Sequence, residues 1–207
     1  MINKTNGNMR LFLNGLTFII FDSFQECIPT KDALKTEILF LENQLTEQNS
    51  PIVFCHNDLL LKNIVYFEKP SRGVAFIDFE YADFNYQAFD IANHFCEFAG
   101  VDNFDPDLYP SKDFQLKWLE HYLNRRKSLF EGEGAETKNE PDSAFIADVQ
   151  KLYFQVKKFT LAAHLFWGIW SLIQAEHSTI KFDFLGYAID RLNEYFSKKS
   201  KSLNGHC

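Results

Sequence analysis

The sequence lacks the glycine-rich signatures that bind nucleotide phosphates in many enzymes. Neither Gly-x-Gly-x-x-Gly nor Gly-x-x-x-x-Gly-Lys-Ser/Thr occurs in its 207 residues. Lys4, Lys31 and Lys35 are isolated lysines, without the strand context in which a lysine binds phosphate. The sequence therefore predicts no phosphate-binding loop.

Cysteine and positive charge are also scarce. The four cysteines (Cys27, Cys55, Cys96 and Cys207) form no Cys-x-x-Cys pair, so neither a zinc site nor a disulfide framework is predicted, and a cytoplasmic location suits them. Lysine and arginine number 21 against 28 acidic residues, which gives a net charge of -7. So acidic a chain offers no basic face, and we expect it to bind neither nucleic acid nor an anionic lipid surface.

Long apolar runs are absent as well. A membrane span needs about twenty apolar residues, and the run over residues 11–21 is interrupted by Asn14 and Gly15. No small-x-small cleavage site follows it, so neither secretion nor a membrane span is predicted. We treat residues 1–30 as an atypical N-terminal segment, a buried strand or short helix leading into the domain. Hydrophobic residues make up 46% of the chain and aromatic residues 16%, which predicts one globular domain with large buried apolar layers.

The hydrophobic pattern predicts short strands followed by long helices. The predicted strands are residues 51–55, 64–67 and 74–77. The predicted helices cover residues 31–47, a stretch from about Asp90 to Gly100, a stretch starting at Ser111, a long stretch from Asp142 or Ser143 to about His177, and a last segment carrying Leu185, Ile189, Leu192 and Phe196. Residues 85–88 are expected to form a polar and aromatic loop, and residues 131–141 a mobile acidic loop.

Three polar residues around the predicted hairpin carry the strongest chemical signal. Asp58 follows the first strand, Asn63 comes five residues later, and Asp78 comes twenty residues after Asp58. Phosphoryl transfer requires a carboxylate to accept the hydroxyl proton and oxygen ligands to hold Mg²⁺ against the phosphates. The spacing predicts Asp58 as the base, with Asn63 and Asp78 as the metal ligands. Glu80 would share the face of Asp78 if the strand continued, and a metal role and a solvated role both stay open for it.

Three blocks of the sequence resemble the choline/ethanolamine kinase family. They are residues 56–63 (HNDLLLKN), 77–81 (IDFEY) and 85–95 (NYQAFDIANHF). Within the first block, the Leu-Leu-Leu-Lys filling is more similar to the ethanolamine branch. The resemblance runs from about residue 34 to residue 196. It implies an α+β fold, the C-terminal lobe of a protein kinase-like enzyme of the choline kinase type, mostly helical with a small β hairpin at the catalytic site. Residues 31–200 would form this lobe and residues 201–207 a flexible tail.

The resemblance also implies an amine pocket and a supporting shell. The positions that shape the amine pocket in the family are matched by Tyr81, Trp167, Trp170 and Tyr187. Aromatic faces attract cations, although two tryptophans beside a glycine, taken alone, are more typical of a core. A primary ammonium also needs hydrogen-bond acceptors, for which Glu97, Asp78 and Asp58 are candidates. Asp90 would buttress the catalytic loop, while its position alone favours a helix cap. His56 is interpreted as loop scaffolding.

The implied activity is the ATP-dependent phosphorylation of ethanolamine to phosphoethanolamine, the first step of phosphatidylethanolamine synthesis by the CDP-ethanolamine route. ATP would be the co-substrate and Mg²⁺ the cofactor. Choline kinase activity is one alternative. Another follows from the absence of a recognisable N-terminal nucleotide-binding lobe: a truncated, catalytically silent isoform that binds the amine or pairs with a full-length subunit. A homodimer is also compatible with the sequence.

Overall fold

The computed structural model describes residues 28–68, 73–131 and 143–203, so most of the N-terminal segment and the acidic loop lie outside the described residues. The strands are β1 (Ile52–Cys55), β2 (Ile64–Phe67), β3 (Gly73–Phe76) and β4 (Asp83–Tyr86). The helices are α1 (Lys31–Thr46), α2 (Gln87–Cys96), α3 (Lys112–Glu131), α4 (Ser143–His177) and α5 (Phe184–Leu203). Helix α5 continues to Leu203, into the stretch predicted as a tail.

The strands form two separate antiparallel ribbons. In the first, β2 pairs with β3, with Ile64 opposite Phe76, which confirms the predicted hairpin. In the second, β1 pairs with β4, with Cys55 opposite Asp83. The prediction of a loop at residues 85–88 was therefore wrong, because residues 85 and 86 belong to β4 and residues 87 and 88 to α2. The residues of β4, Asp-Phe-Asn-Tyr, alternate polar and aromatic side chains, but the segment is short and contains Asp and Asn, which are depleted in strands. Its pairing with β1 holds it as a strand.

Helix α1 forms where the periodicity predicts it. The side chain of Thr30 accepts a hydrogen bond from the amide of Ala33 at 3.3 Å and so caps the first turn. The four residues spaced three and four apart along its apolar face, Leu34, Ile38, Leu41 and Leu45, are all buried. The helix therefore contributes one apolar stripe to the core.

Helix α4 is the centre of the core. It packs against α1, α2, α3 and α5, and its middle is buried on all sides from Phe159 to Ile169. Gly168 allows a close approach to α5, because a Cβ atom at this position would lie 3.0 Å from Leu192 Cγ. A larger residue at this position would therefore require Leu192 to move.

No helix in the described part of the chain combines the length and the apolar character that crossing a membrane requires.

Two phenylalanines of α4 provide a matched test of this packing. Phe159 is fully buried, whereas Phe154 is 54% exposed. We expect Phe159→Ala to lower the free energy of unfolding by about 3–5 kcal/mol, because it removes a buried ring and leaves a cavity. Phe154→Ala should cost less than about 1 kcal/mol. Urea denaturation of both variants measures the difference, and equal losses would contradict this description of the core.

Candidate active site

The loop after β1 brings two of the predicted residues into direct contact. A single 3-10 turn, Leu61–Asn63, folds the chain back toward Asp58. The side-chain amide of Asn63 donates to the Asp58 carbonyl at 2.8 Å and to Asp58 Oδ2 at 3.1 Å. Both bonds use the nitrogen of Asn63, so its carbonyl oxygen Oδ1 is left to accept or to coordinate.

Asp90 holds this loop from the side of α2. Its carboxylate accepts the backbone N–H of His56 at 3.0 Å and that of Asn57 at 2.7 Å. The prediction that Asp90 caps the helix was wrong, because the cap position is Tyr86 and Asp90 lies in the first turn. Burial raises the pKa of the Asp90 carboxyl, and the hydrogen bonds from Asn57 and His56 oppose that rise. The geometry thus places a partly buried carboxylate under the loop, where the resemblance implied a buttress.

His56 links the loop to the segment that carries Asp78. Its Nε2 lies 2.9 Å from the carbonyl of Ile77, so this nitrogen must carry the proton and donate. Its Nδ1 is then free to accept the backbone N–H of Asp58, at 3.3 Å. Because both ring nitrogens are engaged, His56 serves as a bridge in this structure and has no free nitrogen to act as a base.

Asn57 is a connection that the sequence reasoning missed. Its side chain donates to the Tyr81 carbonyl at 2.8 Å and accepts from Asn85 at 3.0 Å. Its own carbonyl accepts from Asn93 at 3.0 Å, and Asn93 in turn accepts the indole N–H of Trp167 at 2.7 Å. Asn57 also has a left-handed backbone, with φ of 64°, a conformation in which Asn is enriched among non-glycine residues. An asparagine next to an aspartate in a polar loop after a strand was the available signal.

The predicted aromatic residues come together on the other side of this network. The Tyr81 ring lies 5.5 Å from Trp167 and 6.5 Å from Trp170, both edge-on, and the two indoles are 5.2 Å apart. Tyr187 is linked to this group indirectly. The rings that connect it to Trp170 are Phe182 and Phe184. Three of the four predicted aromatic residues thus form one cluster, and the fourth lies at its edge.

The acidic residues lie around Asp58. Burial is the main reason that the pKa of Asp58 rises to about 7, and the charge of Glu97 is the second. The hydrogen bond from Asn63 lowers this pKa, while the charges of Asp78 and Glu80 raise it further. The condition on which Glu80 was predicted to share a face with Asp78 is not met, because β3 ends at Phe76. Asp78 instead has a left-handed backbone, with φ of 62°.

The donor set fits a hard cation bound partly by its substrate. Within residues 28–68, 73–131 and 143–203, no group of three or more His, Cys, Asp or Glu side chains is arranged to hold a metal. Mg²⁺ is usually held by one or two protein carboxylates, together with water and substrate phosphates. The uncommitted Oδ1 of Asn63 and the exposed carboxylates of Asp78 and Glu80 are oxygen donors of this kind.

Glu97 is held by an arginine that the sequence reasoning also missed. It lies in the 3-10 turn Glu97–Ala99 that follows α2, and it is buried. Arg191 of α5 donates to Glu97 Oε1 at 3.0 Å and to the Tyr187 hydroxyl at 3.1 Å. The available signal was an arginine four residues from each of Tyr187 and Tyr195, on the buried stripe of α5. The ion pair therefore links two residues that were each predicted to bind substrate.

The fold is that of a protein kinase-like lobe of the choline kinase type. It superposes on an ethanolamine kinase structure from Plasmodium vivax with a TM-score of 0.73 and 32% sequence identity, over 93% of this chain and 49% of that one. The choline/ethanolamine kinase family model matches residues 6–196. The chain belongs to the choline/ethanolamine kinase family.

Two relatives show the extent of the similarity. A probable ethanolamine kinase of Nematostella vectensis is 51% identical over 184 residues, which cover 89% of this chain and 50% of the relative. Human ethanolamine kinase 2 is 49% identical over 175 residues, 84% of this chain and 42% of the relative. The chain thus spans about half the length of these relatives.

Asp90 provides a test of how the catalytic loop is held. Asp90→Asn replaces one of two acceptor oxygens with an amide group that faces a backbone donor. We expect a loss of about 1–3 kcal/mol in the free energy of unfolding, since a buried N–H loses its partner. Hydrogen exchange should show faster exchange at the amides of His56 and Asn57. Asp148→Asn, at an exposed position of α4, is the control. Unchanged exchange at both amides in Asp90→Asn would refute this role.

Proposed function

We propose that the protein phosphorylates ethanolamine with ATP to give phosphoethanolamine, which would be the first step of phosphatidylethanolamine synthesis by the CDP-ethanolamine route. The proposal rests on one observation, that the loop after β1 connects a candidate base and metal ligands to a cluster of aromatic rings. The hydrogen-bonded pair of Asp58 and Asn63 lies among further carboxylates, and Asn57 connects it to the aromatic cluster around Tyr81. The names of the relatives, ethanolamine kinases, support the same activity.

Asp58 is the proposed general base. Proton transfer is most efficient when the pKa of the base lies near the working pH, and the pKa of Asp58 is raised to about 7. The contact with Asn63 fixes one carboxylate oxygen at 3.1 Å. Asp58 would orient the substrate hydroxyl and take its proton as the oxygen attacks the γ-phosphorus in line with the leaving group.

Asn63 and Asp78, with Glu80 as a third candidate, are the proposed Mg²⁺ ligands. The ion would supply positive charge to the phosphate oxygens during transfer. The protein itself keeps these oxygen ligands free of competing hydrogen bonds. The side-chain nitrogen of Asn63 donates to Asp58, which leaves the side-chain oxygen of Asn63 free. His56, bonded to the carbonyl of Ile77, fixes the backbone directly before Asp78.

Tyr81, Trp167, Trp170 and Tyr187 are the proposed walls of the amine pocket, with Glu97 as an acceptor. Aromatic faces stabilise a cation, more strongly where water is excluded. A primary ammonium also has three N–H donors, whereas the quaternary nitrogen of choline has none. The second oxygen of Glu97 is buried and has no hydrogen-bond partner in the described part of the chain. That observation favours ethanolamine over choline as the substrate.

The remaining expectations stay proposals of the same kind. We place the protein in the cytoplasm, with ethanolamine and ATP as its small-molecule partners and no nucleic acid among them. Residues 31–200 are proposed as the catalytic lobe. Self-association and pairing with a longer subunit are both compatible with this function.

Phosphate transfer from labelled ATP by this chain tests the proposal directly. With Mg²⁺ present, we expect label in phosphoethanolamine, and less in phosphocholine when both amines compete at equal concentration. Asp78→Ala should abolish the transfer, because it removes a metal ligand. Preferential labelling of choline would support choline kinase activity instead. Binding of the amine without any transfer would support the silent, partner-dependent form.

The base is tested separately by Asp58→Asn. The amide keeps the shape of the carboxylate but cannot accept the hydroxyl proton, so the rate of transfer should fall by about 10²- to 10⁴-fold. Ethanolamine binding, measured by calorimetry, should change little. An Asp58→Asn variant that retains its rate would remove Asp58 from the role of base.

A further inference from the structure

Arg191 is a cation buried in the helical core. Its side chain is fully buried, as is the stretch of α4 against which it packs. One terminal nitrogen, Nη1, donates to both Glu97 Oε1 and the Tyr187 hydroxyl, and the other, Nη2, donates to the Ala163 carbonyl at 3.2 Å. The guanidinium carbon also lies 5.6 Å from the centre of the Tyr187 ring. A rigid fork of donors therefore fixes two side chains and one backbone group at once.

Glu97 is only half satisfied by this contact. Its Oε1 accepts from Arg191, while its Oε2 is buried without a hydrogen-bond partner among the described residues. Leaving a buried carboxylate oxygen unpaired is costly. Glu97 also lines a cavity of about 640 Å³, whose other walls include Leu60, Ile64, Phe98 and Val101. The free oxygen thus belongs to a side chain that borders open space beside the catalytic loop.

We propose that Arg191 is a positioning residue of the amine site, which holds Glu97 and Tyr187 so that Glu97 Oε2 accepts an N–H of the substrate ammonium. The inference rests on the proposed function, because it takes the amine to bind beside Glu97. It goes further, because it assigns the selectivity for a primary amine to Arg191, which does not itself contact the substrate.

The electrostatics around Glu97 give Arg191 a second task. Burial raises the pKa of the Glu97 carboxyl, and the charge and hydrogen bond of Arg191, followed by the charge of His94, lower it. Asp58, on the catalytic loop, and Glu97 repel one another, since the charge of Glu97 raises the pKa of Asp58. Without Arg191, the carboxyl would take up a proton more readily. A protonated Glu97 has lost the charge that attracts an ammonium, and its O–H competes for the acceptor site.

The competing explanation is that the ion pair only stabilises the fold. Removing one partner of a buried pair destabilises a protein strongly, whereas replacing both is often tolerated. The variants Arg191→Met, Glu97→Gln and the double variant separate the two explanations. Arg191→Lys, which keeps the charge but not the fork of donors, is the conservative variant. For each chain, calorimetry gives the affinities for ethanolamine and for choline, and thermal unfolding gives the stability.

We expect Arg191→Met and Glu97→Gln each to weaken ethanolamine binding by at least about tenfold, and choline binding by a smaller factor. Arg191→Lys should lie between Arg191→Met and the unsubstituted protein. In the double variant, the melting temperature should recover above that of Arg191→Met while ethanolamine binding stays weak. The two losses should not add, because they break one interaction.

Two results would overturn the inference while leaving the proposed function in place. One is an Arg191→Met variant that loses affinity for both amines by the same factor. The other is a double variant that regains ethanolamine binding along with its melting temperature. If the unsubstituted protein binds neither amine, the proposed function fails, and this inference fails with it.

Discussion

The carboxylate of Asp90 ties the catalytic loop to the helical core. It accepts two consecutive backbone N–H groups, those of His56 and Asn57, directly before Asp58. A loop with three neighbouring polar side chains has many conformations in water, and fixing them costs about 1–2 kcal/mol per residue. Two hydrogen bonds to one partly buried carboxylate offset part of that cost. Because Asp90 belongs to α2, which packs on α4, the position of Asp58 depends on the helix packing behind it.

Hydrogen bonds of asparagine side chains connect this ordered loop to the aromatic cluster. Asn57 bonds to Tyr81 and Asn85, while Asn93 bonds to Asn57 and Trp167. Asparagine suits the task because each side chain offers both donor and acceptor without a charge that would need compensation. A fully satisfied buried network specifies one arrangement of its members. The loop that carries the proposed base and the rings that form the proposed amine pocket therefore hold each other in place.

Much of the helical fold could be predicted from the sequence, because an apolar stripe at three- and four-residue spacing has one dominant cause. Leu34, Ile38 and Leu41 are buried as α1 predicts. Strand β4 was missed because four residues that include Asp and Asn give only a weak local signal, and because its pairing with β1 is a long-range contact. The position of Asp90 alone favoured a helix cap, and only the family resemblance implied that it supports the loop, because local spacing cannot show that a carboxylate faces a loop some thirty residues earlier in the chain. The pairing of Arg191 with Glu97 was missed for the same reason.

The balance of charge explains why these distant residues matter to the chemistry. Asp58 is surrounded by the negative charges of Glu97, Asp78 and Glu80, each of which raises its pKa. The ionised forms of these carboxyls repel one another in a partly desolvated site, so the cluster gains stability from any cation that enters it. Among these carboxylates, Arg191 offsets the charge of Glu97 alone. An ammonium and a divalent ion would each relieve the remaining repulsion.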